Sequence, residues 1–171
     1  MTEAEQLTLA LVGPMGAGKT SVGRRVARQL GTTFIDTDKR IVAAHGPIPE
    51  LFAEQGEAHF RELERETVAA ALRECGVVSL GGGAVTDAGT RELLRRHPVV
   101  FLDVSPEAVA ARIRGGSRPL LQGEDPLAQW RQIYEQRRAL YDEVASVTFD
   151  TSRRPMHRIA AEIAAWRREQ P

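Results

Sequence analysis

The segment "GPMGAGKT", Gly13 to Thr20, sets three glycines around a short turn and ends it in a lysine and a hydroxyl. It fits G-x-x-x-x-G-K-S/T, whose glycines let backbone N–H groups converge on phosphate oxygens at a helix N-terminus, where unpaired donors and the dipole favour an anion. In that pattern Lys19 reaches the β- and γ-phosphates, and Thr20 offers its hydroxyl to Mg2+. The motif specifies nucleotide binding without saying what is done with the nucleotide. The chain has no asparagine, so it lacks N-K-x-D, and guanine recognition of that kind is excluded. ATP is the expected nucleotide.

Two further groups could act on an acceptor. In "FIDTDKR", Asp36 and Asp38 stand two apart, so an extended backbone would point both carboxylates to one side. One could hold Mg2+ through water and the other accept a hydrogen bond from a substrate hydroxyl; alternatively the pair is a solvated turn with an N-cap. Three successive glycines, Gly81, Gly82 and Gly83, follow the apolar run "VVSL". A flexible turn needs one glycine, whereas three imply that something must approach the backbone closely.

These residues need elements to hold them. "LTLALVG", Leu7 to Gly13, reads as a strand buried on both faces. "KTSVGRRVARQL" repeats Val22, Val26 and Leu30 at helical spacing, with Gly31 as its stop. "TFID" is then a strand, and helical runs extend from about Lys39 to Glu74 with breaks near Pro47 and Gly56. Next come the strand "VVSL", the helix "DAGTRELLRRH", the strand Val99 to Val104 and a helix capped by Ser105 with Pro106 first. A helix from Pro126 to about Asp142, a strand "VTFD" and a helix from Pro155 complete the order. Strand and helix in alternation predict a three-layer α/β/α fold with a central five-stranded parallel sheet. The two aspartates and the glycine triplet then share the carboxyl edge of the sheet with the first loop, where ligands bind in such folds. The one long irregular segment, Gly115 to Asp125, reads as a mobile lid.

The 171 residues suit a single domain, and 42% hydrophobic with 27% charged residues is an ordinary globular composition. Basic and acidic residues number 23 each, so nothing in the global charge favours nucleic acid or an anionic membrane, and phosphate chemistry must be local. The single Cys75 suits a reducing compartment, and the start "MTEAEQ" lacks the positive charge and apolar run of a secretory signal. A cytoplasmic protein is expected.

"GPMGAGKT", "DTD", "IPELFAEQGEAHFRELE", "SLGGGAV", "RPLL" and "RRALY" occur in the order and near the spacing found in shikimate kinases, and the resemblance covers nearly the whole chain. It implies a P-loop kinase domain over 1-171, with a shikimate-binding helical segment at about 38-65 and a lid at about 113-125. It implies a cytoplasmic monomer that uses ATP and Mg2+ to phosphorylate the 3-hydroxyl of shikimate, in aromatic amino acid biosynthesis. By the same resemblance, Gly16, Ala17, Gly18, Lys19, Thr20 and Ser21 bind ATP together with Arg112, Arg118 and Arg153. Thr20 and Asp36 serve the metal. Asp38, Arg61, Gly81, Gly82, Gly83 and Arg137 take shikimate, with Arg61 and Arg137 gripping its carboxylate, for which a guanidinium fork is well matched. Lys19, Asp38 and Arg118 form the catalytic set. Arg138 stands beside Arg137, and only one of two neighbours on a helix can point inward, since each residue turns the side chain by about 100°. One departure lies in the lid, where many relatives carry Asp-Lys and this chain has Gly115, Gly116 and Ser117. Two other readings are a gluconate or nucleoside monophosphate kinase, and a binding module that has lost the chemistry; the latter predicts loss of Lys19, Asp36, Asp38 or Arg118, and all four are present.

Overall fold

Strand β1, Leu9–Val12, alternates its side chains between two cores: Leu9 and Leu11 enter one, Ala10 and Val12 the other, and all four are buried. Only a strand covered by helices on both faces can be apolar throughout. In the computed structural model, which describes residues 8–112 and 125–171, β1 is the centre of a five-stranded sheet ordered β2-β3-β1-β4-β5. The other strands are β2 Phe34–Asp36, β3 Val77–Ser79, β4 Val99–Asp103 and β5 Val147–Asp150, and every pairing is parallel. Because β3 and β4 flank β1 on opposite sides, their following loops diverge and leave a crevice at its carboxyl end.

Helices α1 Lys19–Leu30 and α7 Met156–Glu169 cover one face, burying Val22, Val26, Ile159 and Ile163 against Leu9 and Leu11. Helices α3 Ile48–Leu72 and α4 Ala88–Leu94 cover the other, where Val68, Leu72 and Leu94 meet Val12 and Phe101. Each large aliphatic side chain buried in this way contributes about 1.5–3 kcal/mol. Helix α6, Pro126–Val144, contributes Trp130 to the first core and Tyr141 to the second. The short α5, Pro106–Arg112, has its first turn capped by Ser105, whose Oγ accepts from Ala108 N at 3.3 Å.

The expected breaks are present. Helix α2, Thr37–His45, ends at Gly46 with φ 91°, and α3 is kinked at Gly56 with φ 82°. One expectation fails: the backbone does not remain extended from Asp36 to Asp38. Asp36 ends β2 and caps α2, accepting from Lys39 N at 3.1 Å, so Asp38 already lies in the first helical turn. A carboxylate at an N-cap satisfies a first-turn N–H that would otherwise be orphaned, and this favours helix over continued strand. Arg118 and the expected lid segment from residue 113 to residue 124 lie outside the described residues.

Candidate functional site

The loop from Gly13 to Ala17 is held by its carbonyls. Lys19 Nζ donates to Gly13 O at 2.7 Å and Pro14 O at 3.0 Å, and Trp130 Nε1 donates to Met15 O at 2.7 Å. Arg112 donates to Gly16 O at 2.9 Å, and the buried Thr151 Oγ1 to Ala17 O at 2.7 Å. Five successive carbonyls are thus fixed by side chains. Met15, Gly16, Gly18 and Lys19 line a crevice, so the lysine and the start of α1 border the same space. Gly18, at φ 90°, is the N-cap of α1 and supplies no side-chain cap, and the first turn holds no acidic residue. The combination favours an anion. Glycine suits position 18 because φ 90° is a conformation that side chains rarely adopt; a β-carbon there would also have to displace the Met156 methyl, 2.7 Å away.

The crevice has a volume of about 310 Å³ and is lined on its second side by Asp36, Asp38, Gly81 and Gly82. Pairing of Asp36 with Ser79 across β2 and β3 sets these loops side by side. Thr20 Oγ1 donates to Asp36 Oδ2 at 3.2 Å, so a hydroxyl and a carboxylate oxygen meet between the loops. Both are hard oxygen donors suited to Mg2+, which takes one or two protein ligands plus substrate phosphates.

Behind Gly81 to Gly83 lies a charged cluster. Arg61 pairs with Glu64 at 2.7 Å and with Glu57 at 3.3 Å, and its guanidinium lies 5.3 Å from the Phe60 ring. Glu64 is buried, and burial raises its pKa above the usual glutamate value despite the opposing charge of Arg61; the negative charge of Asp38 raises it further. Arg137 is only 8% exposed. Near it stands Tyr141, whose hydroxyl is pushed up to about 12 by burial, with the positive charge of Arg137 opposing the rise.

The triplet of glycines now has a steric cause. A β-carbon on Gly81 would lie 2.6 Å from Asp38 Oδ1 and 2.8 Å from Glu64 Oε2, and one on Gly83 would lie 2.4 Å from both terminal nitrogens of Arg61. Neither glycine has positive φ, so their role is to leave room for these side-chain ends rather than to allow a special backbone conformation. Gly82 is less constrained, with its nearest contacts at 3.5 Å.

Comparison with known proteins decides the family. The shikimate kinase family model matches residues 15–167. The chain belongs to the shikimate kinase family. It is 47% identical to a shikimate kinase of Corynebacterium efficiens over 157 residues, covering 91% of this chain and 93% of that protein. A Streptomyces coelicolor shikimate kinase is 48% identical over 149 residues, covering 85% and 86% respectively. A shikimate kinase from Acinetobacter baumannii, solved in complex with shikimate, superposes with a TM-score of 0.90 at 39% identity, over 94% of this chain and 92% of that one. An APS kinase from Mycobacterium tuberculosis shares the fold at 20% identity, with a TM-score of 0.56.

For this shikimate kinase family member, the described residues bring most of the expected site together. Gly16, Gly18, Lys19, Thr20, Ser21, Asp36, Asp38, Gly81, Gly82 and Arg112 all line the crevice. Ala17 is buried behind the loop, and Arg61, Gly83 and Arg137 stand with Glu64 beside the triplet. Arg153 is exposed after β5 and does not line the crevice. Glu64, Trp130, Tyr141 and Thr151 are absent from the sequence-based set. Glu64 stands three residues after Arg61, the spacing of a helical ion pair, and so left a signal. Nothing in the sequence marks Trp130 as a partner of Met15.

Proposed function

We propose that the chain is a shikimate kinase, transferring the γ-phosphoryl group of ATP to the 3-hydroxyl of shikimate. The observation that carries this reading is the shared crevice: a loop whose carbonyls from Gly13 to Ala17 are bonded by side chains faces a second loop backed by Asp38, Arg61 and Arg137. ATP is the donor at Gly16 to Ser21, with Arg112 and Arg153 flanking its base. Shikimate is the acceptor, its carboxylate gripped by Arg61 and Arg137 and its hydroxyls met by Asp38 and the Gly81 to Gly83 loop.

In the transfer, a bond forms between the shikimate oxygen and the γ-phosphorus while the bond from that phosphorus to the bridging oxygen of ADP breaks. Asp38 accepts the hydroxyl proton. Lys19 neutralises charge on the β- and γ-phosphates, and Arg118 is assigned to the transferring group, a role worth roughly 10³ to 10⁵ in rate in related enzymes. Thr20 and Asp36 would hold Mg2+, directly and through water, and the ion would supply charge neutralisation between the phosphates. The whole chain acts as one domain, with residues 38-65 as the shikimate segment and 113-125 as the lid. A cytoplasmic monomer fits this reading; among the described residues no helix is long and apolar enough to cross a membrane.

ADP release coupled to a spectrophotometric readout, with Mg2+-ATP and shikimate, gluconate or AMP as acceptors, tests the proposal. Release that depends on shikimate alone is expected. Equal release with gluconate or AMP, or none with shikimate, would overturn it.

A further inference from the structure

Helix α6 carries two buried side-chain donors that reach different ligand loops. Trp130 Nε1 bonds Met15 O of the donor loop at 2.7 Å, and Tyr141 Oη bonds Gly82 O of the glycine triplet at 2.6 Å. At about 100° per residue, the eleven steps between them come to roughly three full turns, so both side chains leave the same face about 16 Å apart along the axis. Each is 1% exposed.

Their rings are not free to turn. Trp130 stacks on Tyr134 with centroids 4.9 Å apart and planes 9° apart, and Tyr134 donates to Asp103 Oδ1, at the end of β4, at 2.6 Å. Tyr141 stacks on Phe101 of the same strand with centroids 5.1 Å apart. The Trp130 ring is thus tied to the end of β4 through Tyr134, and the Tyr141 ring packs directly on Phe101 of that strand.

The loops they reach need such restraint. A glycine-rich segment can approach a ligand closely because it lacks side chains, and for the same reason its peptide planes depend on partners; for the Met15 and Gly82 carbonyls those partners stand on α6. If the Met15 carbonyl rotated inward, it would present negative charge to a polyphosphate. Rotation of the Gly82–Gly83 peptide would exchange an amide edge for a carbonyl edge beside the charged cluster. A buried indole or phenol seeks a partner, and here each finds a backbone carbonyl in a ligand loop rather than one in its own core.

We infer that Trp130 and Tyr141 are positioning residues, Trp130 for the nucleotide and Tyr141 for the acceptor, acting through the Met15 and Gly82 carbonyls. The inference rests on the donor and acceptor assignment proposed above. It adds that one helix orients both loops through separate bonds, so the two affinities can be weakened independently.

Calorimetric binding of Mg2+-ATP and of shikimate to the full chain, wild type against Trp130→Phe and Tyr141→Phe, tests it. Both substitutions keep an aromatic ring and remove the donor. Loss of one such hydrogen bond corresponds to roughly three- to tenfold in affinity. Trp130→Phe should weaken ATP by that factor and leave shikimate unchanged; Tyr141→Phe should do the reverse. Weakening of both ligands together in each variant, as general loosening would give, overturns the inference, and so does no change in either. A measurement without substitution guards against a variant that fails to fold. The chain has two tryptophans, so an indole 15N–H spectrum has two signals, with Trp166 as the internal reference. ATP should shift the Trp130 signal and shikimate should not; a signal unmoved by ATP overturns the Trp130 assignment. Wild-type protein that binds ATP but not shikimate would instead overturn the proposed function, while the ATP arm would still decide the role of Trp130.

Discussion

Arg61 occupies the space that a β-carbon on Gly83 would need: such a carbon would lie 2.4 Å from either terminal nitrogen, and Glu64 holds the guanidinium there at 2.7 Å. The guanidinium is the far end of a flexible side chain, so Gly83→Ala should displace it with little loss of stability. Removing a charge-assisted pair from the acceptor site costs about 1.5–3 kcal/mol, or roughly tenfold or more in affinity. We expect the shikimate KM to rise by that factor with the ATP KM unchanged. Steady-state kinetics with each substrate varied will check it, and an unchanged shikimate KM would separate Gly83 from the site.

Glu64 gives a pH-dependent prediction with a defined sign. Burial, outweighing Arg61, raises its folded pKa above the unfolded value. The folded state then holds the proton more tightly, so the associated stability is fully present below the unfolded pKa and is lost as pH rises through the folded one. Glu64→Gln removes this titration. The stability of wild type minus that of the variant should fall with rising pH across that window and level off above it. Urea unfolding at a series of pH values measures the difference, and a rise in place of the fall would show that the Arg61 pairing dominates.

Asp36 has two separable duties, capping α2 through Oδ1 and meeting Thr20 through Oδ2. Asparagine caps helices about as well as aspartate. Asp36→Asn should therefore keep the melting temperature while raising the Mg2+ concentration for half-maximal activity by about 10- to 100-fold, the usual effect of losing a partner that orients a metal's ligands. A Mg2+ titration of activity beside a thermal melt distinguishes the two duties; loss of both together would make the cap the main function.

The neighbouring arginines should behave oppositely. Arg137 is buried beside Tyr141 and Glu64, whereas the Arg138 side chain is 56% exposed and reaches Asp103 and Asp142 only at 3.8 Å. Exposed pairs of that kind are worth about 0–1 kcal/mol. Arg137→Ala should weaken shikimate binding by at least about tenfold, given what a charged hydrogen bond contributes. Arg138→Ala should leave it within about twofold, as expected for a solvent-screened group. Equal effects in direct binding titrations would count against the clamp assigned to Arg137.

What depends on neighbours along the chain was legible in the residues alone. Gly13 to Thr20 encodes its turn and lysine within eight residues; apolar runs encode the parallel sheet, Gly31 the end of α1 and Pro47 the break after α2. A local pattern suffices where the forces are local: helix capping, positive φ and the period of burial. Tertiary structure decided what depends on distance between segments far apart in sequence. It selected Arg137 over Arg138, burying the first and leaving the second exposed. It also supplied the close contacts that explain Gly81 and Gly83. The anchoring of the donor loop by Arg112, Trp130 and Thr151 joins positions 96, 115 and 134 residues apart, so no periodicity could mark it. Such bonds form because a buried donor must find whichever acceptor the packed fold brings near, and that acceptor is fixed only when the helices have docked on the sheet.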